Sequence, residues 1–137
     1  MDAPVQEIMT KNVHFIEADD SLRTAVKLIK RHKIRHLPVV KNKTVVGMIS
    51  TTDLDRLTFS TLFANERDVD EAILEMFTIT QVMAAKPVVV QADATIRKVA
   101  EIFSNQHFHS LPVVENGELV GIVTTTDIIK YMLADIG

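Results

Sequence analysis

The 137-residue sequence contains no cysteine, which excludes disulfide frameworks, thiol nucleophiles and thiolate-held metals. No apolar run approaches the roughly 18 residues of a membrane-spanning helix, and the N-terminus lacks the basic-then-apolar pattern of a secretory signal. A cytoplasmic location is the expectation. The formal charge of −3 leaves no basic footprint for nucleic acid or an anionic membrane. There is no Gly-x-Ser-x-Gly elbow, no Walker glycine loop and no His-Glu-x-x-His helix, so no enzymatic activity is expected. Glycine and proline number four each, and neither occurs from Met48 to Lys86.

What remains is 47% hydrophobic and 24% charged, an ordinary globular composition. The length suits one compact domain or two small halves sharing a core, because about 60 to 70 residues alone bury too little surface. The halves are visible as a repeat. Moving the chain by 74 positions lays residues 5–54 on 79–128 without a gap. Identical pairs include Met9/Met83, Arg23/Arg97, Pro38/Pro112, Gly47/Gly121, Thr52/Thr126 and Asp53/Asp127. An unbroken register matters because one inserted residue would turn a strand's faces over.

Each copy reads as β-α-β-β-α. Residues 13–17 and 87–91 are short, apolar and β-prone. The segments ADDS and ADAT supply helix caps. Leu22, Ala25, Val26, Ile29 and Ile96, Val99, Ala100, Phe103 then follow the spacing of an amphipathic helix. LPVVENGELVGIV predicts a hairpin around Asn116-Gly117, and the first copy carries the weaker turn Asn42-Lys43 in the same register. The predicted organisation is a first repeat over 4–57, a helical connector over 58–77 and a second repeat over 78–134. Around the connector, Leu57, Phe59, Leu62, Phe63, Ile73, Leu74, Met76 and Phe77 call for burial against the partner half or a second subunit.

Two such units, each with an h-x-x-h-M opening (h apolar), an L-P-V-V strand and a G-h-h-[ST]-x-x-D exit, resemble a tandem pair of CBS domains, named after cystathionine β-synthase. The resemblance spans nearly the whole chain. It implies an α/β (α+β) fold of two repeats packed with pseudo-twofold symmetry, and clefts between them that bind adenosine-containing ligands: AMP, ADP, ATP, S-adenosylmethionine or NAD. It also implies a homodimer that regulates another protein, with no required cofactor and the adenine nucleotide as ligand. The alternative is a ligand-free dimerisation or interaction module.

The exits Ser50-x-x-Asp53 and Thr124-x-x-Asp127 have two readings. As capping boxes they satisfy the first N–H groups of a helix. As ligand contacts, the resemblance implies, each aspartate accepts from the two ribose hydroxyls while Ser50 or Thr124 lies against the ligand. Carboxylates serve ribose in the same way in dinucleotide-binding folds. The two roles are compatible. The family's basic pair before the L-P-V strand corresponds to Arg35 and His36 in the first copy, and to His109 and Ser110 in the second. A guanidinium grips phosphate better than an imidazole or a hydroxyl. The first half is therefore predicted to hold phosphate more strongly. At the opening the first copy has Thr10 and the second Ala84, and the adenine would lie along Val13 and His14 or Pro87 and Val88. Those residues also read as plain strand. His107 and His109 share one face of an extended segment, but no third ligand stands at metal-binding spacing, so no metal site is predicted.

Overall fold

The computed structural model describes residues 1–59 and 72–136. The first repeat forms β1 (Ile16–Glu17), α1 (Leu22–His32), β2 (His36–Lys41), β3 (Thr44–Ser50) and α2 (Thr51–Phe59). Residues 72–76 are helical, and α3 (Ile79–Val82) and β4 (Ala84–Ala85) follow. The second repeat forms β5 (Val90–Gln91), α4 (Ile96–Asn105), β6 (Ser110–Glu115), β7 (Glu118–Thr124) and α5 (Thr125–Ile136). The predicted β-α-β-β-α plan is present twice.

Local chemistry accounts for these elements. Ser21 caps α1 by accepting from the Thr24 N–H at 3.2 Å, and Thr95 caps α4 by accepting from the Lys98 N–H at 3.0 Å. Both hairpins close on two consecutive left-handed residues, Asn42 (φ 51°) with Lys43 (φ 69°) and Asn116 (φ 53°) with Gly117 (φ 81°). That double positive φ is the type I′ turn, whose twist suits adjoining strands. The strands expected over 13–17 and 87–91 are shorter. Only Ile16–Glu17 and Val90–Gln91 pair, each parallel to the strand after its helix.

The chain forms two compact units, and their boundaries are not those of the repeats. A continuous unit comprises residues 14–87, and a split unit comprises residues 1–13 together with 88–137. The opening of each repeat is thus built into the unit that holds the body of the other. In the split unit, Val5 is fully buried among Val90, Ile96, Val99, Leu111, Val113 and Val123. Its N–H donates to the Ala94 carbonyl at 2.7 Å. In the continuous unit, Ile79 is fully buried among Ile16, Leu22, Ala25, Leu37, Val39 and Ile49. Burying one such side chain contributes roughly 1.5–3 kcal/mol.

A methionine against a glycine fixes each exchanged opening. Thr10 bridges Ile122 of β7 through two backbone hydrogen bonds of 2.8 and 3.0 Å, which brings Met9 over Gly121. A Cβ on Gly121 would collide with Met9 Sδ and come within 2.9 Å of the Thr10 carbonyl oxygen. The counterpart pairs Ala84 with Met48 of β3, and a Cβ on Gly47 would collide with Met83 Sδ and lie 3.1 Å from the Ala84 carbonyl oxygen. The repeat identities Met9/Met83 and Gly47/Gly121 are two copies of one contact.

The connector's apolar residues divide. Ile73 is buried, and Leu57 and Leu74 pack half-buried against the continuous unit's core. Met76 and Phe77, expected to be buried against the partner half or a second subunit, are 71% and 37% exposed in the single chain. They precede the point where the chain turns into α3 through a capping box of Thr78 and Gln81, and that turn leaves them outside the core. Leu62 and Phe63 lie outside the described residues.

Two stability measurements follow from this packing. Lys43→Gly removes a side chain from a left-handed position and should raise stability by about 0.5–1 kcal/mol, a shift of roughly 2–4 °C in Tm. An unchanged or lower Tm would contradict the strain argument. Gly121→Ala should cost about 1–3 kcal/mol in urea unfolding, as overpacking does. In a double-mutant cycle, Met9→Ala should recover part of that loss, since the Sδ clash goes while the Thr10 carbonyl stays.

Candidate functional site

In both units a strand runs directly into a helix, and the junction carries the predicted carboxylate. At the end of β3, Asp53 Oδ2 accepts from the Ser50 N–H and from the Ser50 hydroxyl, each at 2.9 Å. The Asp53 N–H donates to Ser50 Oγ at 3.1 Å. At the end of β7, Asp127 Oδ2 accepts from the Thr124 N–H at 2.8 Å, and the Asp127 N–H donates to Thr124 Oγ1 at 3.2 Å. Both exits are capping boxes.

The cap engages one oxygen of each carboxylate. Among the described residues Asp53 Oδ1 has only Arg56 at 3.9 Å, and that arginine is largely exposed. Asp127 Oδ1 has no hydrogen-bond or ion-pair partner among the described residues. The hydroxyls differ as well: Ser50 gives its proton to Asp53, while Thr124 makes no such bond to Asp127. Each junction therefore presents a carboxylate oxygen held in place by its own helix cap and still able to accept.

The exchanged openings decide which predicted residues share a unit. Thr10, Val13, Val88, His109, Thr124 and Asp127 belong to the split unit, and His14, Arg35, His36, Ser50, Asp53 and Pro87 to the continuous one. The sequence comparison credited the first repeat with both Thr10 and Arg35. The structure separates them: Thr10 bridges the strand that ends in Thr124, and Ala84 pairs along the strand that ends in Ser50. The cause is the methionine–glycine contact, which seats each opening on the other repeat's last strand.

Within the continuous unit, the Arg35 carbonyl accepts from the Thr51 N–H at 2.9 Å, and His36 is the register partner of Ser50. Directly opposite residues in an antiparallel pair share a face, so His36 and Ser50 project together. Within the split unit, the His109 carbonyl accepts from the Thr125 N–H at 3.0 Å, and Ser110 opposes Thr124. Arg35 and His109 are exposed, His36 is half-buried, and Ser110 is 6% exposed with a buried Oγ that has no hydrogen-bond partner among the described residues. Of the residues predicted along the adenine, Val13 and Pro87 are half-buried, His14 is exposed and Val88 is 46% exposed. Sequence reading passed over the stacking of His14 on His32, ring centroids 3.6 Å apart, because 18 residues separate them.

Known proteins match this arrangement. The sequence model of the CBS domain matches residues 5–58 and again 79–134. An uncharacterised protein of Methanocaldococcus jannaschii is 31% identical over 97% of this chain, which spans 45% of that protein's length. The crystal structure of CBSX2 from Arabidopsis thaliana superposes with a TM-score of 0.85 at 27% identity, covering 99% of this chain and 98% of that one. CBSX2 has also been solved in complex with AMP, matching here at 25% identity and a TM-score of 0.80 over 98% of this chain and 99% of that one. A CBS domain pair solved with 5′-methylthioadenosine and S-adenosyl-L-methionine matches at 26% identity and a TM-score of 0.72, over 94% of this chain and 98% of that one.

The cap geometry has a measurable consequence of its own. Thr124→Ala removes the acceptor for the Asp127 N–H and should lower stability by about 1 kcal/mol, while Thr124→Ser should preserve it. Equal urea midpoints for Thr124→Ala and the parent chain would rule out the capping role.

Proposed function

The chain belongs to the CBS-domain family, and from that premise we propose that it is a regulatory module that binds adenosine-containing ligands. The observation that carries this reading is the repeated carboxylate whose Oδ2 is engaged in a helix cap while Oδ1 remains to accept. Two neighbouring hydroxyls, such as those of a ribose, suit that acceptor, and a hydrogen bond to a charged group contributes about 1.5–3 kcal/mol. The solved relatives support the ligand class, since one holds AMP and another 5′-methylthioadenosine and S-adenosyl-L-methionine.

In this reading the two junctions prefer different ligands. Around Asp53 stand Arg35 and His36, with Arg56 one turn on, so phosphate oxygens would be favoured there. Around Asp127 stand Thr10, His109, Ser110 and Thr124, hydroxyls and one imidazole with no guanidinium, which suit an adenosine carrying little negative charge. Val13 and Val88, or His14 and Pro87, would lie along the base. The protein would act by linkage, a ligand biasing a partner protein only as far as it binds two conformations unequally. No catalytic step is assigned. We place the module in the cytoplasm, with the nucleotides it would read.

A homodimer fits the surface of α5, where Ile129, Met132 and Leu133 are 52%, 40% and 65% exposed at a spacing that aligns them on one face. The same stripe favours the second reading, an interaction module without a small ligand. A thermal-shift panel of AMP, ADP, ATP, S-adenosylmethionine and NAD separates the two. A ligand at 100 times its Kd should add about 2.7 kcal/mol, and a flat panel would leave the interaction module. Asp53→Asn and Asp127→Asn each keep an oxygen for the cap and lose the second acceptor. Each should weaken binding at its own junction roughly 10- to 100-fold by calorimetry. Unchanged affinity in both single variants and the double variant would remove the ribose role.

A further inference from the structure

Two imidazoles face one another where the chain passes from one compact unit to the next. Val13 is the last residue of the split unit's first segment and His14 opens the continuous unit. The His14 ring lies on the His32 ring with centroids 3.6 Å apart and planes inclined by 14°. His32 is the final residue of α1, whose end is already closed by backbone: Lys33, left-handed at φ 54°, and Ile34 both donate to the Ile29 carbonyl. The imidazole is thus not needed as a cap. The incoming segment, residues 11–15, lies between the Thr10–Ile122 bridge and the first strand pair, Ile16 with Val39, and belongs to neither. The ring stack ties His14 to α1.

We propose that the His14–His32 stack is a proton-operated latch that holds His14 and Phe15, the first residues of the continuous unit, against the end of α1 and releases them on acidification. Two rings can stack while at least one is neutral, but two imidazolium ions at this separation repel. Within the same unit the charged neighbours in sequence are Lys30, Arg31 and the cap residue Lys33 at the end of α1 and Glu17 in β1, and of these Arg31 acts on His32. Desolvation, then the charges of His14 and Arg31, hold the His32 pKa below its ordinary 6.5. The sign follows from linkage. The latched form binds fewer protons than the open form, so the latch is complete above pH 6.5 and weakens as pH falls below it. Each additional proton bound by the open form shifts the open-to-latched ratio by up to about tenfold per pH unit.

The inference is independent of the nucleotide reading and is tested without ligand. Amide chemical shifts and hydrogen exchange of His14 and Phe15 in the full chain can be followed from about pH 8 to about pH 5.5, spanning the ordinary histidine range. After correction for intrinsic exchange chemistry, protection at these amides should fall below pH 6.5 in the parent chain. His32→Phe keeps a flat ring opposite His14 and removes one proton, and it should flatten the response. His14→Phe is the reciprocal variant and should do the same. Constant protection in the parent chain, or a pH response in both phenylalanine variants as large as the parent chain's, would overturn the latch.

Discussion

A sulfur atom lying against a glycine governs the rest of this structure. Met9 over Gly121 and Met83 over Gly47 are contacts so close that no Cβ could be added without displacing its neighbours. Each allows a short backbone bridge, Thr10 to Ile122 or Ala84 to Met48, and so ties the opening of one repeat to the last strand of the other. Once the openings are exchanged, Val5 and Ile79 fill cores that their own repeats do not form. Neither repeat would be complete as a separate piece of chain, which agrees with the difficulty of stabilising about 60 residues alone.

The same last strands deliver the carboxylates. Because β3 and β7 run without a loop into α2 and α5, the first helical N–H groups and the acid three residues on from Ser50 or Thr124 close into a cap. A cap orients its carboxylate before any ligand arrives. It also reduces the side-chain freedom that binding would otherwise remove, which is how preorganisation adds affinity. Capping therefore does not compete with the proposed recognition at Asp53 and Asp127, because the cap engages Oδ2.

What differs between the junctions lies in the residues beside the cap. His36 and Ser110 occupy the same register position, opposite Ser50 and Thr124, yet one is a half-buried imidazole and the other a buried hydroxyl. Arg35 and His109 differ likewise in charge. A duplicated scaffold with unequal side chains can bind two chemically distinct ligands, or bind one ligand at one junction only. Regulation then needs no new machinery beyond unequal affinity for two conformations. The points where the chain crosses between units, 13/14 and 87/88, fall among the residues proposed to lie along the base.

Much of this was legible in the residues themselves. The 74-residue offset, the helix periodicities, the caps at Ser21 and Thr95, both hairpins and both capping boxes are encoded by neighbours within a few positions, and local rules read them correctly. Asn42-Lys43 formed the same turn as Asn116-Gly117 despite its poorer residue, because the paired strands on either side impose the conformation. The family could likewise be read from motifs repeated in order. Tertiary structure alone decided the exchange of openings, and with it that Thr10 belongs with Asp127 rather than with Arg35. It also decided that His14 reaches His32. Each of these rests on side chains far apart in sequence meeting at van der Waals distance, and periodicity carries no information about such meetings. A repeat in sequence identifies equivalent residues; only packing determines which copy of each stands beside which.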